Sequence, residues 1–514
     1  MQHPTSRRHF FFGTLLAGAV PIAGYGSVPS LRALGYKPFY EKLNVAAVGC
    51  GGQGGVILNQ AAQTENLVAM CDVDEKRAAD NFNKFPKATK YKDFREMIDK
   101  EGKNIDALTI GIPDHMHATV AMYAMQRGKH VYVEKPLTRT PWEARLLQQA
   151  AAKYKVATQM GNQGWSHESI RVASEIVWSG ELGDVTEVHA SSSPGTHPTG
   201  MDAPPAETSV PSNLNWDLWL GQANMRAYAA EYTPYNWRGF YDFGTGQIGN
   251  WGIHTMGPVH MALQLDAPIS VEMVSVEGSS KISFPKRAVV KFEFAARGKM
   301  PAVTVYWHDS ALPNTASAFE VPGMDGEKIL PSPNNLAEKG RPTAPPRGAN
   351  VPSGPPPGPR PANGQRWGAG GPGVPLYGQS AFGIPQEPGV LSHNGALFIG
   401  KNGMMATVDR GEGVHLLPKS RWESYTLPPQ LLTRQPGGHM LDWIRACKGG
   451  AVSVSDFSAS APFAEWMVLG SIAMRMGQGA GKLLWDSKNV RFTNSAEANK
   501  YVMPVFRKGW ELKL

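Results

Sequence analysis

Residues 45–54 read Val-Ala-Ala-Val-Gly-Cys-Gly-Gly-Gln-Gly. Gly49, Gly51 and Gly54 place G-x-G-x-x-G directly after a strand-like run, Leu43 to Val48. The first glycine of this spacing permits a tight turn. The second lets the backbone approach a pyrophosphate, and the third lets the next helix pack close to the strand. The N-terminus of that helix presents partial positive charge to phosphate. A second apolar run, Leu67 to Cys71, ends in Asp72, where a carboxylate can accept both hydroxyls of an adenosine ribose. Gly49, Gly51, Gly52, Gln53, Gly54 and Asp72 are therefore the candidate dinucleotide-binding residues. Asp72 favours NAD, because a 2′-phosphate would meet its charge. Lys76 and Arg77 follow closely enough to keep NADP open.

From Leu43 to about Met160, short apolar runs alternate with helical patterns. The runs are Leu43–Val48, Leu67–Cys71, Ala107–Ile110, His130–Val133 and Val156–Met160. The helices are expected at Gly55–Gln63, Asp74–Phe85, Ala118–Arg127 and Trp142–Lys155. That alternation means a doubly wound parallel sheet, a Rossmann domain over residues 42–161. Beyond it the runs Val271–Val276, Ala288–Phe294 and Val303–Trp307 alternate apolar with polar or small residues. Leu397–Ile399 and Met405–Val408 flank a hairpin-type Gly400-Lys401-Asn402-Gly403. Residues 162–514 thus read as a C-terminal α+β domain with a large open, mostly antiparallel sheet. Ser166–Ser179 and Pro462–Met476 have helical periodicity. Pro331 to Pro375 holds 13 prolines and much glycine, a composition expected to form no regular element.

The chain of 514 residues carries a net charge of +8. Residues 1–34 account for +3 and 331–375 for +4, which leaves +1 on the body. So even a balance argues against a nucleic-acid partner. Cys50, Cys71 and Cys447 match no zinc spacing and no disulfide framework, so no metal is expected. At the start, Ser6-Arg7-Arg8-His9-Phe10 precedes an apolar run to about Ile22. This resembles a twin-arginine export signal, and residues 1–34 are set aside as such. The export machinery is then one partner and the periplasm the expected location. That route carries folded cargo, so a dinucleotide would be loaded before export.

Residues 130–137 read His-Val-Tyr-Val-Glu-Lys-Pro-Leu and put Glu134 and Lys135 at the carboxyl edge of a buried strand, where open α/β sheets bind ligands. With the glycine loop, Asp72 and Gly111-Ile112-Pro113-Asp114-His115-Met116-His117, this set resembles the Gfo/Idh/MocA family, the glucose–fructose oxidoreductases and inositol dehydrogenases. The likeness runs from about Leu43 to the C-terminus, outside the signal and the proline-rich insertion. It implies a hydride-transferring site between the two domains and a homo-oligomer formed through the open sheet. Lys135 matches the lysine that contacts the reacting hydroxyl, and His254 matches the catalytic histidine. Pro113, His117 and Glu134 fall beside the cofactor. The family carboxylate four residues before the histidine is replaced by Asn250, which can orient a ligand but cannot take a proton. If residues 248–254 are helical, Asn250 and His254 share one face. Asp114, His115 and His117 read as a first-turn capping cluster rather than metal ligands. Tyr235, Trp237 and Arg238, just before this motif, are the candidate substrate-binding residues, with aromatic faces and polar groups suited to a carbohydrate or polyol. Trp216 and Trp219 read as core.

Three functions remain open on these residues. One is an exported NAD(P)-dependent sugar or polyol oxidoreductase. Another is a glycoside hydrolase that retains NAD and works by transient oxidation and elimination. The third is a sugar- or nucleotide-binding protein without catalysis, which Asn250 keeps in play.

Overall fold

The computed structural model describes residues 40–342 and 386–514. The export segment and most of the proline-rich stretch lie outside the described residues.

Six short strands form the first sheet: β1 (Asn44–Val48), β2 (Asn66–Cys71), β3 (Thr89–Tyr91), β4 (Ala107–Ile110), β5 (His130–Val133) and β6 (Thr158–Met160). They are all parallel, in the order β3-β2-β1-β4-β5-β6. The order reverses between β1 and β4, which opens a crevice above their carboxyl ends. Helices α1 (Gly52–Ala61), α2 (Glu75–Lys84), α3 (Phe94–Glu101), α4 (Asp114–Met125) and α5 (Pro141–Tyr154) make the crossovers. Local chemistry sets their starts. Asp74 caps α2 by accepting from Arg77 N at 3.1 Å. Thr140 and Glu143 form a reciprocal capping box on α5, with Pro141 at its first position.

The second sheet contains β7 (Val185–Ser191), β8 (Ser270–Glu277), β9 (Arg287–Phe294) and β10 (Val303–Asp309). A two-stranded excursion, β11 (Phe319–Glu320) and β12 (Val390–Leu391), precedes β13 (Gly395–Gly400), β14 (Gly403–Val408), β15 (Gly413–Leu417), β16 (Leu483–Asp486) and β17 (Arg491–Phe492). The nine-stranded order is β15-β14-β13-β7-β10-β9-β8-β16-β17, antiparallel except for β7 against β10. Alternation puts Val290, Phe292, Val305 and Trp307 inside, and Lys291, Glu293 and Tyr306 on the opposite face. The inner face packs on α6 (Glu168–Trp178) and on α8 (Phe457–Met476), which follows α7 (Gly438–Cys447). Trp466 of α8 meets Phe292 and Phe294 edge-on at 5.2 and 5.3 Å.

Two expectations are corrected here. Helix α8 starts five residues before Pro462 rather than at it. Asp456 caps it through Ser458 N, and the Ser458 carbonyl that Pro462 cannot serve accepts from Gln148 Nε2 at 3.5 Å. Within Pro331–Pro375, Asn335–Lys339 forms a 3-10 turn. Leu336 is buried, and the Asn335 side chain donates to Val414 O at 2.9 Å. One apolar anchor and one bonded amide suffice to hold the start of a proline-rich segment on the sheet.

Candidate active site

The glycine loop sits where the β1 and β4 ends meet. Gly49 has φ +86°, and a Cβ there would collide with Gly111 O. A Cβ at Gly54 would lie 2.6 Å from the same oxygen. Both glycines are therefore required by close packing of α1 against β1 and β4. At Gly51 a Cβ would lie 2.8 Å from Arg77 O, so packing against α2 already demands glycine there. No side chain caps α1 and no acid stands in its first turn, which leaves that helix end suited to an anion. Asp72 is held at the loop by Cys50 N at 2.7 Å and Asp74 N at 2.9 Å. Burial pushes its pKa up. Each Asp72 oxygen accepts one backbone bond and keeps a lone pair for a hydroxyl. Arg77 Nη2 lies 3.0 Å from where a Gly52 Cβ would sit, so a cation overhangs the loop. This cradle of atoms, closed to any Cβ, fits a dinucleotide.

Gln53 extends the loop toward the end of β5. Its Nε2 donates to Glu134 Oε1 at 3.1 Å, as does Gln163 Nε2 at 3.1 Å. Burial raises the Glu134 pKa against the pull of Lys135. The Lys135 ammonium crosses to the second domain, where it donates to Asn250 O at 2.8 Å and Asn250 Oδ1 at 2.9 Å. Asn250 Nδ2 in turn donates to Gln247 Oε1 at 3.0 Å. Burial and then the positive charge of Arg238, against the opposing Glu134, lower the Lys135 pKa to about 7.

Asn250 and His254 do not ride one α-helix. A π-helical turn, Ile248–Gly252, carries Asn250 and passes into a short helix, Ile253–Thr255, that carries His254. Close-packed glycines in this stretch make the wider turn, a device common at functional sites. His254 is 4 % exposed, its ring 5.9 Å from Trp251.

Pro113 stands at the N-cap of α4. Asp114 does not cap that helix; it accepts from Thr245 Oγ1 at 2.6 Å across the domain boundary. Burial raises its pKa to about 6 against Arg238 and Lys135. His117 bonds Ile112 O at 2.8 Å and His115 bonds Trp219 O at 3.0 Å, with both pKa values lowered by burial. Two members of the expected capping cluster, Asp114 and His115, thus form an interdomain clasp, while His117 stays bonded within the first domain.

Trp237 is 5 % exposed, within an aromatic cluster with Trp216, Trp219 and Tyr232. Tyr235 is half-buried. The Arg238 guanidinium lies 4.1 Å from the Trp237 ring and 4.3 Å from Tyr235. Sequence reading passed over Arg410, in the turn between β14 and β15. Its guanidinium is 5.9 Å from the Trp251 ring, and its charge acts on both Glu134 and Lys135. No motif surrounds it; only the fold brings that turn to the β5 corner.

Residues 43–162 match the Gfo/Idh/MocA model "Oxidoreductase family, NAD-binding Rossmann fold", and residues 175–293 match "Oxidoreductase family, C-terminal alpha/beta domain". Inositol 2-dehydrogenase of Salmonella typhimurium is 30% identical over 152 residues, 29% of this chain and 45% of that protein. Alpha-N-acetylgalactosaminidase of Shewanella oneidensis is 28% identical over 199 residues, 34% of this chain and 43% of that protein. The chain spans about half the length of the curated relatives it matches. Among solved structures, the WlbA dehydrogenase of Chromobacterium violaceum, in complex with NADH and UDP-GlcNAcA, superposes with TM-score 0.52 at 12% identity, covering 87% of this chain and 98% of that one. An inositol dehydrogenase homolog of Azotobacter vinelandii, complexed with NADH and myo-inositol, gives 0.50 at 15% identity over 88% and 100%. At such identities these two show the shared fold. Through its two matched segments the chain carries the NAD-binding Rossmann domain and the C-terminal α/β domain of the Gfo/Idh/MocA oxidoreductase family.

Proposed function

We propose that this protein is an exported NAD(P)-dependent oxidoreductase acting on a sugar, polyol or glycoside by hydride transfer. The observation that carries the reading is Lys135, held by Asn250 at 2.8 and 2.9 Å above the dinucleotide cradle, with its pKa lowered to about 7. NAD held in the cradle would supply the hydride acceptor for the carbon that bears the reacting hydroxyl. The α1 end would hold its pyrophosphate, and Asp72 its ribose hydroxyls. Lys135, with a sizeable neutral fraction at pH 7, accepts the hydroxyl proton as the hydride leaves. The two Asn250 oxygens fix Nζ without cancelling its charge, so Asn250 orients and does not titrate. His254, one turn on, is the second proton-handling group, and Tyr235 with Arg238 receives the other hydroxyls.

A second reading is favoured by the match to an alpha-N-acetylgalactosaminidase: a retained NAD that is reduced and reoxidised within each cycle. Export rests on Ser6-Arg7-Arg8 and is tested by fractionating cells that express the Arg7→Lys, Arg8→Lys double variant. A homo-oligomer formed through the sheet belongs to the same proposal. The β8–β10 part of its outer face carries ion pairs such as Lys291–Glu272 at 2.7 Å, and solution scattering reads the state.

The test is to extract the protein from periplasm, identify its nucleotide, and add a panel of sugars, polyols and aryl glycosides. Accumulated NADH supports the oxidoreductase. Aglycone release without net nicotinamide change supports the second reading. Sugar binding with no turnover on any member would leave only a binding protein.

A further inference from the structure

Resting on that reading, the structure names a feature of the substrate. Three basic side chains lie around the β5 corner: Lys135 bonds Asn250, Arg410 reaches the ring of the adjacent Trp251 at 5.9 Å, and the charges of Arg410 and Arg238 both act on Lys135. None is neutralised there by a hydrogen-bonded carboxylate. Lys135 donates to an amide and a carbonyl of Asn250. Arg238 donates to Tyr235 O at 3.3 Å, and the Tyr235 and Trp237 rings flank it. The Arg410 guanidinium makes no hydrogen bond or ion pair among the described residues, and its Nε is buried without an acceptor. Two of the acids around the corner are occupied by neutral donors: Glu134 by Gln53 and Gln163, and Asp114 by Thr245.

The cation at 410 is also placed firmly. A Cβ on Gly164 would collide with Arg410 O, so the β14–β15 turn packs directly on the Gln163–Ser166 turn that follows β6. Gln163 of that turn holds Glu134. A dinucleotide pyrophosphate would have its own partner in the uncapped end of α1.

We propose that the sugar handled by this site carries an oxyanion, a carboxylate or a phosphate ester, and that Arg410 together with Arg238 receives it. A guanidinium fork matches either group with paired, charge-assisted hydrogen bonds.

The test is calorimetric titration of the nucleotide-loaded protein. D-glucuronate and D-galacturonate supply the carboxylate, D-glucose 6-phosphate the phosphate ester, and D-glucose and D-galactose the neutral counterparts. At least one oxyanion-bearing sugar should bind about tenfold or more tighter than its counterpart. Arg410→Gln should shrink that ratio to about twofold, and Arg410→Lys should keep part of it. A preference for uronates identifies a carboxylate, and one for the phosphate identifies an ester. The proposal is overturned if no pair favours the oxyanion, if Arg410→Gln leaves the ratio unchanged, or if that variant loses its nucleotide instead. Reduction of bound nicotinamide by the neutral sugars alone would sink this inference and leave the oxidoreductase standing. Absence of both nucleotide and sugar binding in the wild type would remove both.

Discussion

Lys135 donates its ammonium protons to Asn250 alone among the described residues, so its protonation is set by burial and by the charges around it. Its neutral form is the one that accepts a proton. With the pKa lowered to about 7, kcat/KM for sugar oxidation should rise with pH through about 7 and level off above it. Asn250→Asp places a carboxylate against the ammonium and stabilises the charged form. The pKa then rises, and the rising limb should move about one pH unit upward. A limb that stays in place in the variant would remove Lys135 as the base. The same neighbourhood explains why an amide suffices at 250: it adds one side-chain acceptor to the backbone carbonyl and costs no second desolvated charge.

At the scale of elements, the π-helical turn Ile248–Gly252 sets the geometry. A Cβ on Gly249 would run into the Thr245 hydroxyl that holds Asp114, and would lie 3.2 Å from Pro136 Cγ. Gly249→Ala should destabilise the protein by about 1–3 kcal/mol, read as a lowered Tm. It should also weaken turnover, because the turn that shifts carries Asn250. Sequence alone puts Asn250 and His254 on one face only if residues 248–254 are helical. The pattern of glycines does not reveal which backbone bonds widen until the packing against Pro136 and Thr245 is known. Strands β4 and β5 were legible to the residue, since buried parallel strands are short unbroken apolar runs. β3, Thr89–Tyr91, was not legible, because an exposed edge strand of three residues has no apolar run to mark it. The glycine loop and Asp72 were legible because their spacing is local. Arg410 was not, because its part in the site comes only from the pairing of β14 with β15 and the contact at Gly164.

For the whole molecule, the site exists only while the two domains stay locked. Among the contacts that cross between them are Lys135 to Asn250, Asp114 to Thr245, and Arg145 of α5 to Glu465 of α8. The last is bidentate at 2.9 and 2.8 Å. The Glu465 side chain is 4% exposed, and burial raises its pKa to about 7 even beside Arg145. Arg145→Met strands that carboxyl and should cost about 3 kcal/mol in thermal unfolding, with nucleotide affinity little changed. An unchanged Tm would show that the pair is not part of the lock. The central claim is that Lys135 moves the proton when the sugar gives up its hydride. Stopped-flow nicotinamide absorbance of the NAD-loaded protein, mixed with a turned-over sugar, tests it in a single turnover under both the net-redox and the redox-neutral reading. The wild type should show prompt reduction, and Lys135→Met should retain its nucleotide yet slow that reduction by about a thousandfold. Reduction at the wild-type rate in Lys135→Met, or none in the wild type, would contradict the claim.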